Sequence, residues 1–525
     1  MFDARLTLDP HATVGPVNRR LFGSFVEHLG RCVYDGIYEP GHPTSDGDGF
    51  RADVIELVRE LGVSTIRYPG GNFVSGYRWE DGVGPREQRP RRLDLAWHST
   101  ETNQIGLDEF ATWLDEVGAE LMYAVNLGTR GVLEALDVLE YSNIRSGTAL
   151  SDLRVANGHP EPHNIRVWCL GNEMDGPWQL GHRPAYEYGQ LAAQTASAMR
   201  QVDPDLELVV CGSSGAQMPT FGEWERTVLE ATYDDADYIS CHAYYEPKGG
   251  DHGSFLASAV NMDRFIDEVA ATAYHVKARR RSDKTINISF DEWNIWYMTR
   301  YNEVDKITDI DSWPEAPRLL EDSYSVMDAV VFGNLMISLI RHADRVTAAS
   351  LAQLVNVIAP IMTEPGGPAW RQTTFFPFSI TSRLARGVAL ELKLETPTYD
   401  TAEHGTAGLV DAVATHDPET GEVAVFVVNR SLSEEASFEI DTREFGEVEV
   451  VSATTLHDED IHAANTLAER ERVAPRDNDT VRVADGSVRV TLPPVSWSAV
   501  ALRMRAASAE FGHVPDRDQM LDNRL

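Results

Sequence analysis

The chain has 525 residues, 42% of them hydrophobic, and a formal net charge of −36 from 46 basic and 82 acidic residues. Nucleic acids and anionic membranes would repel so acidic a surface, so neither is expected as a partner. No apolar run approaches the ~20 residues of a membrane span, and no basic-then-apolar leader stands at the start, which predicts a cytoplasmic protein. The four cysteines include no CxxC pair, and we expect them to be buried free thiols.

Apolar runs alternate with stretches of helical spacing from residue 18 to residue 380. Strands are predicted at 21–26, 63–68, 121–127, 165–170, 206–211, 238–244, 286–290 and 348–355. Helices are predicted between them at 53–61, 107–117, 131–146, 186–202, 262–279 and 323–342. Eight alternating strands predict an α/β fold, a closed (β/α)8 TIM barrel over residues 18–380.

The pattern changes beyond about residue 381, where short β-rich runs separated by turn residues replace the long helices. The runs lie at 409–414, 423–429, 436–440, 448–453, 481–483 and 488–500. They predict a β-sandwich over residues 381–505, followed by a polar tail at 506–525. Residues 1–17 are predicted to form a short β segment that pairs outside the barrel.

Two glutamates stand where the fourth and seventh barrel strands are predicted to end, Glu173 after Asn172 and Glu292 beside Trp296. Active sites of such barrels lie at the carboxyl ends of the strands. The separation of 119 residues (292 − 173) fits three strand–helix units of roughly 40 residues each. A pair of carboxyl groups with aromatic neighbours indicates glycoside hydrolysis, in which one group protonates the leaving oxygen and the other attacks or activates water.

Each of these residues also has a purely structural interpretation. A strand-end glutamate is often only solvated or ion-paired, and His242, which shares a strand face with Tyr244, could be a hydrogen-bonded core residue. Trp178 and Trp296 could either wall a pocket or pack loops. The carboxylates beside the glutamates, Asp175 and Asp291, are expected to be structural ion-pair partners.

Motifs for metals and cofactors are weak or missing. The PGGNF segment lacks the GK[ST] ending of a phosphate loop, which favours a tight turn that aims Asn72 into a pocket. There is no HExxH and no clustered Cys/His spacing. We expect neither a metal nor another cofactor.

Five stretches of the chain together resemble the α-L-arabinofuranosidases of glycoside hydrolase family 51. They are FGSFVEHLGRCVYDGIYEPG (22–41), IRYPGGNFVSGYRWEDGVGP (66–85), CLGNEMDGPWQLGH (169–182), DEWNIWY (291–297) and LPPVSWSAV (492–500). The resemblance extends over nearly the whole chain. It implies a TIM barrel with a C-terminal jelly-roll β-sandwich that the N-terminal strand joins, and an assembly that is often hexameric.

The same resemblance assigns roles to residues of the predicted site. Glu173 would be the acid/base and Glu292 the nucleophile. Substrate contacts would come from Glu27, Asn72, Asn172, Tyr244 and Gln353, and more loosely from Trp296, Arg67 and His242. Apart from the resemblance, Trp178 is expected to be a further pocket wall.

The expected reaction is retaining hydrolysis of terminal α-L-arabinofuranosyl residues from arabinan, arabinoxylan or short oligosaccharides. The alternatives are a related barrel glycosidase, such as an endoglucanase or β-xylosidase, and a non-catalytic carbohydrate-binding or storage protein. Loops 30–50, 74–104 and 298–322 are expected to set the specificity.

Overall fold

Eight parallel strands close into a barrel, which confirms the predicted fold class. The structure is a computed structural model that describes residues 1–504, so the polar tail predicted at 506–525 lies outside the described residues. The first strand pairs with both the second and the eighth, and this closes the barrel. In chain order the strands are Gly23–Phe25, Thr65–Tyr68, Glu120–Val125, Val167–Leu170, Glu207–Val210, Tyr238–Tyr245, Asn287–Ile295 and Val346–Leu351.

Helices cover the outside of the barrel. Leu107–Val117, whose bounds the spacing of apolar residues predicts, buries Leu107, Phe110 and Leu114 along one stripe. The helix stops at Gly118, which adopts φ 75° and donates its N–H to the carbonyl of Leu114. The remaining helices are Ala52–Leu61, Val132–Asn143, Ala149–Ala156, Ala185–Val202, Glu223–Thr232, His252–Leu256, Ser258–Arg280, Met298–Arg300, Val326–Arg341 and Phe375–Leu384. Within residues 1–504 none of them is long and apolar enough to cross a membrane.

Several predicted strand bounds are wrong, among them the end of the eighth strand, which lies at Leu351 and not at residue 355. The seventh strand continues to Ile295, five residues past the predicted end, with irregular pairing to both neighbours around Asp291. The predicted strand 488–500 is two strands, Ser487–Leu492 and Ser496–Met504, which pair in different sheets. Two prolines between them lack the N–H that a continuous ladder requires.

Two sheets form the β-sandwich, around an apolar core of their own that includes Leu6, Val425 and Phe438. One sheet has the order Lys393–Glu395, Phe2–Thr7, Ala436–Asp441, Ser487–Leu492, Arg482–Ala484. The other has the order Thr13–Pro16, Val388–Leu390, Val410–Asp417, Glu422–Asn429, Ser496–Met504, Val448–Leu456, Arg476–Asp477. The chain therefore contributes one strand to each sheet of the sandwich before its first barrel strand.

The helix Val326–Arg341 joins the barrel to the sandwich. All of its residues but the last are buried, and a Cβ placed on Gly333 would lie 2.2 Å from the indole ring of Trp497 in the sandwich. At the end of this helix, Arg341 forms an ion pair with Asp411. The four cysteines are buried free thiols, as the sequence predicts.

Candidate active site

Glu173 and Glu292 face each other at the carboxyl ends of the barrel strands. Glu173 follows the fourth strand in a left-handed conformation, φ 43°, and Glu292 lies within the extended seventh strand. One carboxylate oxygen of each, together with a ring nitrogen of His242, lies within 4.8 Å of the others. Both carboxyl groups are buried, with 8% and 5% of each residue exposed. The structure therefore brings together the two glutamates that the sequence singles out.

His242 lies between these carboxylates. Its Nδ1 is 2.9 Å from Glu173 Oε1 and 3.6 Å from Glu292 Oε2, and its Nε2 is 3.0 Å from Asp291 Oδ1. Burial alone would lower the pKa of His242, but Glu292, Asp291 and Glu173 outweigh it and raise the pKa to about 10. An imidazolium has no free lone pair, so this cluster is a poor divalent-cation site despite its short distances.

Asp291 thus has the structural ion-pair role expected of it, whereas Asp175 does not pair in this way. The carboxylate of Asp175 accepts hydrogen bonds from the backbone N–H and the hydroxyl of Ser214. Burial raises the pKa of Asp175 to about 6, and the charge of Glu173 contributes to the rise.

Two donors fix the orientation of Glu292. Arg67 Nη1 donates to Oε1 at 2.7 Å, and the Tyr244 hydroxyl donates to Oε2 at 2.7 Å. The other arm of the guanidinium, Nη2, donates to Asn172 Oδ1 at 2.6 Å. Burial would lower the pKa of Arg67, but Asp291 and Glu292 raise it well above its usual value, so the guanidinium is charged.

Glu27 is almost fully buried, and the backbone at Gly71 separates its carboxyl group from that of Glu292. Its Oε1 accepts from the backbone N–H of Phe73 at 2.8 Å and from Trp97 Nε1 at 2.9 Å, and its Oε2 accepts from Gln353 Nε2 at 3.0 Å. Burial raises the pKa of Glu27 to about 8, and the hydrogen bonds from Phe73 and Trp97 oppose part of the rise. The Oε1 atom of Gln353 is buried without a hydrogen-bond partner among the described residues, so it is available to a ligand hydroxyl.

Gly71 lets the backbone pass between Glu27 and Glu292. A Cβ at this position would lie 3.2 Å from Glu27 Oε2, 3.2 Å from Glu292 Oε1 and 3.2 Å from the ring of Phe25. The next residue, Asn72, begins a short 3₁₀ turn, and its side-chain oxygen is 3.4 Å from Asn172 Nδ2. The glycine pair therefore serves close approach to two carboxylates rather than to a phosphate.

The two tryptophans have different surroundings. Trp296 packs edge-on against Tyr244, with ring centroids 5.2 Å apart, and against Tyr301 at 5.7 Å. Trp178 is 53% exposed, yet its Nε1 donates to Glu173 Oε2 at 2.7 Å. The first tryptophan walls the site from within, whereas the second covers it from the solvent side.

Comparison with known proteins identifies the family of the chain. A family model described as the α-L-arabinofuranosidase C-terminal domain matches residues 291–496, and one described as the α-L-arabinofuranosidase 1 domain matches residues 57–267. The intracellular exo-α-(1→5)-L-arabinofuranosidase of Streptomyces lividans is 61% identical over 519 residues, covering 98% of this chain and 77% of that protein. The exo-α-(1→6)-L-arabinofuranosidase of Bifidobacterium longum is 61% identical over 511 residues, covering 95% and 97%.

A solved structure of a family 51 α-L-arabinofuranosidase from Bifidobacterium longum has a TM-score of 0.92 at 49% identity, covering 95% of this chain and 99% of that one. The chain belongs to glycoside hydrolase family 51. This confirms the resemblance inferred from the five sequence stretches, and it makes the chain a family 51 glycoside hydrolase.

Sequence reasoning missed three side chains of this family 51 site. Trp97, from the hairpin between Arg92–Asp94 and Ser99–Glu101, binds Glu27. Asp94, at the start of the same turn, is buried, which raises its pKa to about 7. Tyr301 packs between Trp97 and Trp296. Their only signal was their location in loops 74–104 and 298–322, because an irregular loop has no periodicity that shows which side chains point inward.

Proposed function

We propose that Glu292 is the nucleophile and Glu173 the acid/base of a retaining exo-α-L-arabinofuranosidase. The observation that carries this proposal is the separation of the two carboxylates, whose nearest oxygens lie within 4.8 Å. Retaining glycosidases place these groups about 5–5.5 Å apart, whereas inverting ones need about 6.5–9.5 Å to admit a water.

The first step forms a bond between a Glu292 oxygen and the anomeric carbon, while the bond to the leaving oxygen breaks and Glu173 transfers its proton to that oxygen. In the second step Glu173 removes a proton from water, which attacks the anomeric carbon and releases Glu292. Arg67 and Tyr244 each donate a hydrogen bond to one oxygen of Glu292, which orients the carboxylate. Asn172, which accepts a hydrogen bond from Arg67, would bind the sugar 2-hydroxyl.

The remaining contacts would hold a terminal arabinofuranose. Glu27 and Gln353 offer a carboxyl group and an unpaired amide oxygen to its hydroxyls, Asn72 lies beside Asn172, and Trp296 offers an apolar face. We propose α-(1→5)-linked arabino-oligosaccharides as substrates, since several relatives 48–61% identical carry that linkage in their names. Those names also say intracellular, which supports a cytoplasmic location.

The roles of the two glutamates are tested by azide rescue. We expect Glu173→Ala and Glu292→Ala each to lose at least about 10³-fold in kcat/KM on an arabino-oligosaccharide. With 4-nitrophenyl α-L-arabinofuranoside, azide should rescue Glu173→Ala and give an arabinosyl azide of retained configuration. Glu292→Ala should stay inactive or give the inverted azide.

Glu246→Ala is the matched control, because Glu246 follows the sixth barrel strand and bonds Thr299 rather than the catalytic pair. It should retain activity within a few-fold of wild type. An inverted hydrolysis product from the wild type, seen by NMR, would refute the double displacement. Cleavage of a β-xyloside or β-glucan with no activity on the arabinofuranoside would refute the substrate.

Two further proposals concern organisation. We propose a homohexamer, as expected from the family resemblance. Light scattering should then give six chains of 58.3 kDa, about 350 kDa, and a monomer mass would refute it. We also propose the division into an N-terminal strand segment (1–17), barrel (18–380), sandwich (381–505) and tail (506–525). The proposed boundary between barrel and sandwich falls within the helix Phe375–Leu384.

A further inference from the structure

Trp178 links the solvent-exposed rim to the buried carboxyl group of Glu173. Its indole N–H donates to Oε2 at 2.7 Å, while the other oxygen, Oε1, lies 2.9 Å from His242 Nδ1. Both oxygens of Glu173 therefore face a hydrogen-bond donor. An indole N–H can only donate, so it stabilises the ionised carboxylate over the carboxylic acid.

The loop is shaped to bring the indole to this carboxylate. The carbonyl of Glu173 accepts the backbone N–H of Gly176, which turns the chain back toward the site. A Cβ on Gly176 would lie 2.6 Å from Trp178 Cε2, so a larger residue there would push the ring away. The contact is thus built into the loop rather than left to an untethered side chain.

This contact conflicts with the first step of the proposed reaction. A general acid must hold its proton on an oxygen that points at the leaving group, yet the indole occupies Oε2 and favours the form without that proton. Beside Trp178, a cavity of about 360 Å³ lined also by Asn72, Pro177 and Gln179 has room for the leaving group. A sugar entering there meets the exposed face of the indole.

We propose that Trp178 is a positioning residue that alternates Glu173 between its acid and base roles. When the leaving sugar binds, it stacks on the indole and displaces the N–H from Oε2, which leaves the protonated carboxyl free to donate to the leaving oxygen. When the sugar departs, the N–H returns and supports the ionised carboxylate that accepts a proton from water. The inference rests on the proposed function and adds a role for Trp178 to it.

Other charged and titratable groups also face Glu173, and the test must separate them from the indole. They are His242 and Tyr244 from the sixth strand, Glu292 from the seventh and Asp175 from the same loop. One contact further away, Asp291 pairs with His242 and Arg67 pairs with Glu292. All of these residues are retained in Trp178→Phe, which removes only the indole N–H donor at position 178.

The experiment compares Trp178→Phe, Trp178→Ala and wild type by complete pH profiles. Trp178→Phe keeps an aromatic face and loses the donor. We expect the alkaline limb of kcat/KM on an α-(1→5)-arabinobioside to move about 0.5–1 pH unit upward, because the ionised carboxylate has lost a stabilising bond. With 4-nitrophenyl α-L-arabinofuranoside, whose good leaving group should make release of the sugar from Glu292 the slow step, the acid limb of kcat should move in the same direction.

Trp178→Ala separates the two parts of the side chain. It should show the same shift of both limbs and, in addition, a several-fold rise of KM for the arabinobioside, since the stacking face is lost. Trp370→Phe is the matched control and should shift neither limb, because Trp370 lies in the strand Ala369–Arg371, which pairs with Ile361–Thr363.

Unchanged limbs in an active Trp178→Phe enzyme, or equal shifts in Trp370→Phe, would overturn the role of Trp178 and leave the proposed function intact. A wild-type protein without arabinofuranosidase activity would instead overturn the proposed function itself. Because both variants at position 178 lack the donor, the loss of one through misfolding leaves the other to decide.

Discussion

A single methyl group at residue 71 tests how closely the backbone and the two buried carboxylates are fitted. In Gly71→Ala the new Cβ would meet Glu27 Oε2, Glu292 Oε1 and the Phe25 ring, each at 3.2 Å. Ordinary contacts to carbon are about 3.5–4.0 Å, so each neighbour must move by roughly 0.3 Å. The Phe25 ring is buried beneath the Arg67 guanidinium, 4.8 Å from its centre, so the carboxylates are the groups that yield.

The expected loss of kcat/KM in Gly71→Ala follows from the displacement of Glu292, the proposed nucleophile. A misplacement of 1 Å costs about 10²-fold in rate, so shifts of about 0.3 Å in two carboxylates should reduce kcat/KM by roughly 5- to 30-fold. That corresponds to a loss of about 1–2 kcal/mol of transition-state stabilisation. Crowding should also lower the free energy of unfolding by about 1–3 kcal/mol, which leaves the protein folded at 25 °C.

The assay is steady-state hydrolysis of 4-nitrophenyl α-L-arabinofuranoside with thermal unfolding in parallel. Gly41→Ala is the control, because nothing lies within 4 Å of a Cβ there, and it should match wild type in both measurements. If Gly71→Ala keeps kcat/KM within twofold of wild type, the close approach does not position the carboxylates and the reasoning fails.

Three further substitutions test the electrostatics and the packing. Glu27→Gln should gain stability relative to wild type as pH rises from about 4.5 to 8. The reason is that burial raises the pKa of Glu27 to about 8, so ionisation above pH 4.5 favours the unfolded chain. Unfolding free energies from urea titrations that change with pH equally in both proteins would contradict this. In wild type the charge on His242, whose pKa is raised from 6.5 to about 10, adds stability that is full below pH 6.5 and is lost as pH rises through 10. Asp291→Asn removes one of three carboxylates that stabilise this charge, so it should lower the free energy of unfolding by ~1–2 kcal/mol at pH 6. The difference in unfolding free energy between wild type and Asp291→Asn should narrow by pH 10, and a constant difference would refute the charge on His242. Gly333→Ala places a Cβ 2.2 Å from the Trp497 indole and should cost ~2–3 kcal/mol of unfolding free energy at every pH, with kcat/KM of the folded enzyme unchanged; wild-type stability would show that the contact relaxes freely.

Local patterns predicted most of the fold. The helix Leu107–Val117 has the bounds that its apolar spacing predicts, and the fourth barrel strand ends at Leu170, the predicted residue, three residues before Glu173. A pattern of this kind depends on neighbours within a few residues, and the sequence contains those neighbours in full. The barrel and the location of the carboxylate pair follow from it.

The rest of the site depends on contacts between distant parts of the chain. Trp97 reaches Glu27 across 70 residues, and Gln353 reaches the same carboxyl group across 326. The seventh strand extends past Glu292 because the sixth and eighth strands supply partners there, which its own sequence cannot reveal. Trp178 was expected to be a pocket wall, but its bond to Glu173 depends on how Gly176 turns the loop.

The strand Phe2–Thr7 can complete its pairing only late in synthesis of the chain. Phe2 pairs with Ala436 and Thr7 with Asp441, so the first strand made finds its parallel partner only after more than 400 further residues. At about 5–20 residues per second the ribosome needs roughly 20–90 s to reach that partner. During that time the barrel can close while Phe2–Thr7 is still an unpaired strand with apolar side chains, the kind of edge that pairs with other chains. The strand Phe2–Thr7 must therefore avoid pairing with other chains until its partners at 393–395 and 436–441 have been synthesised.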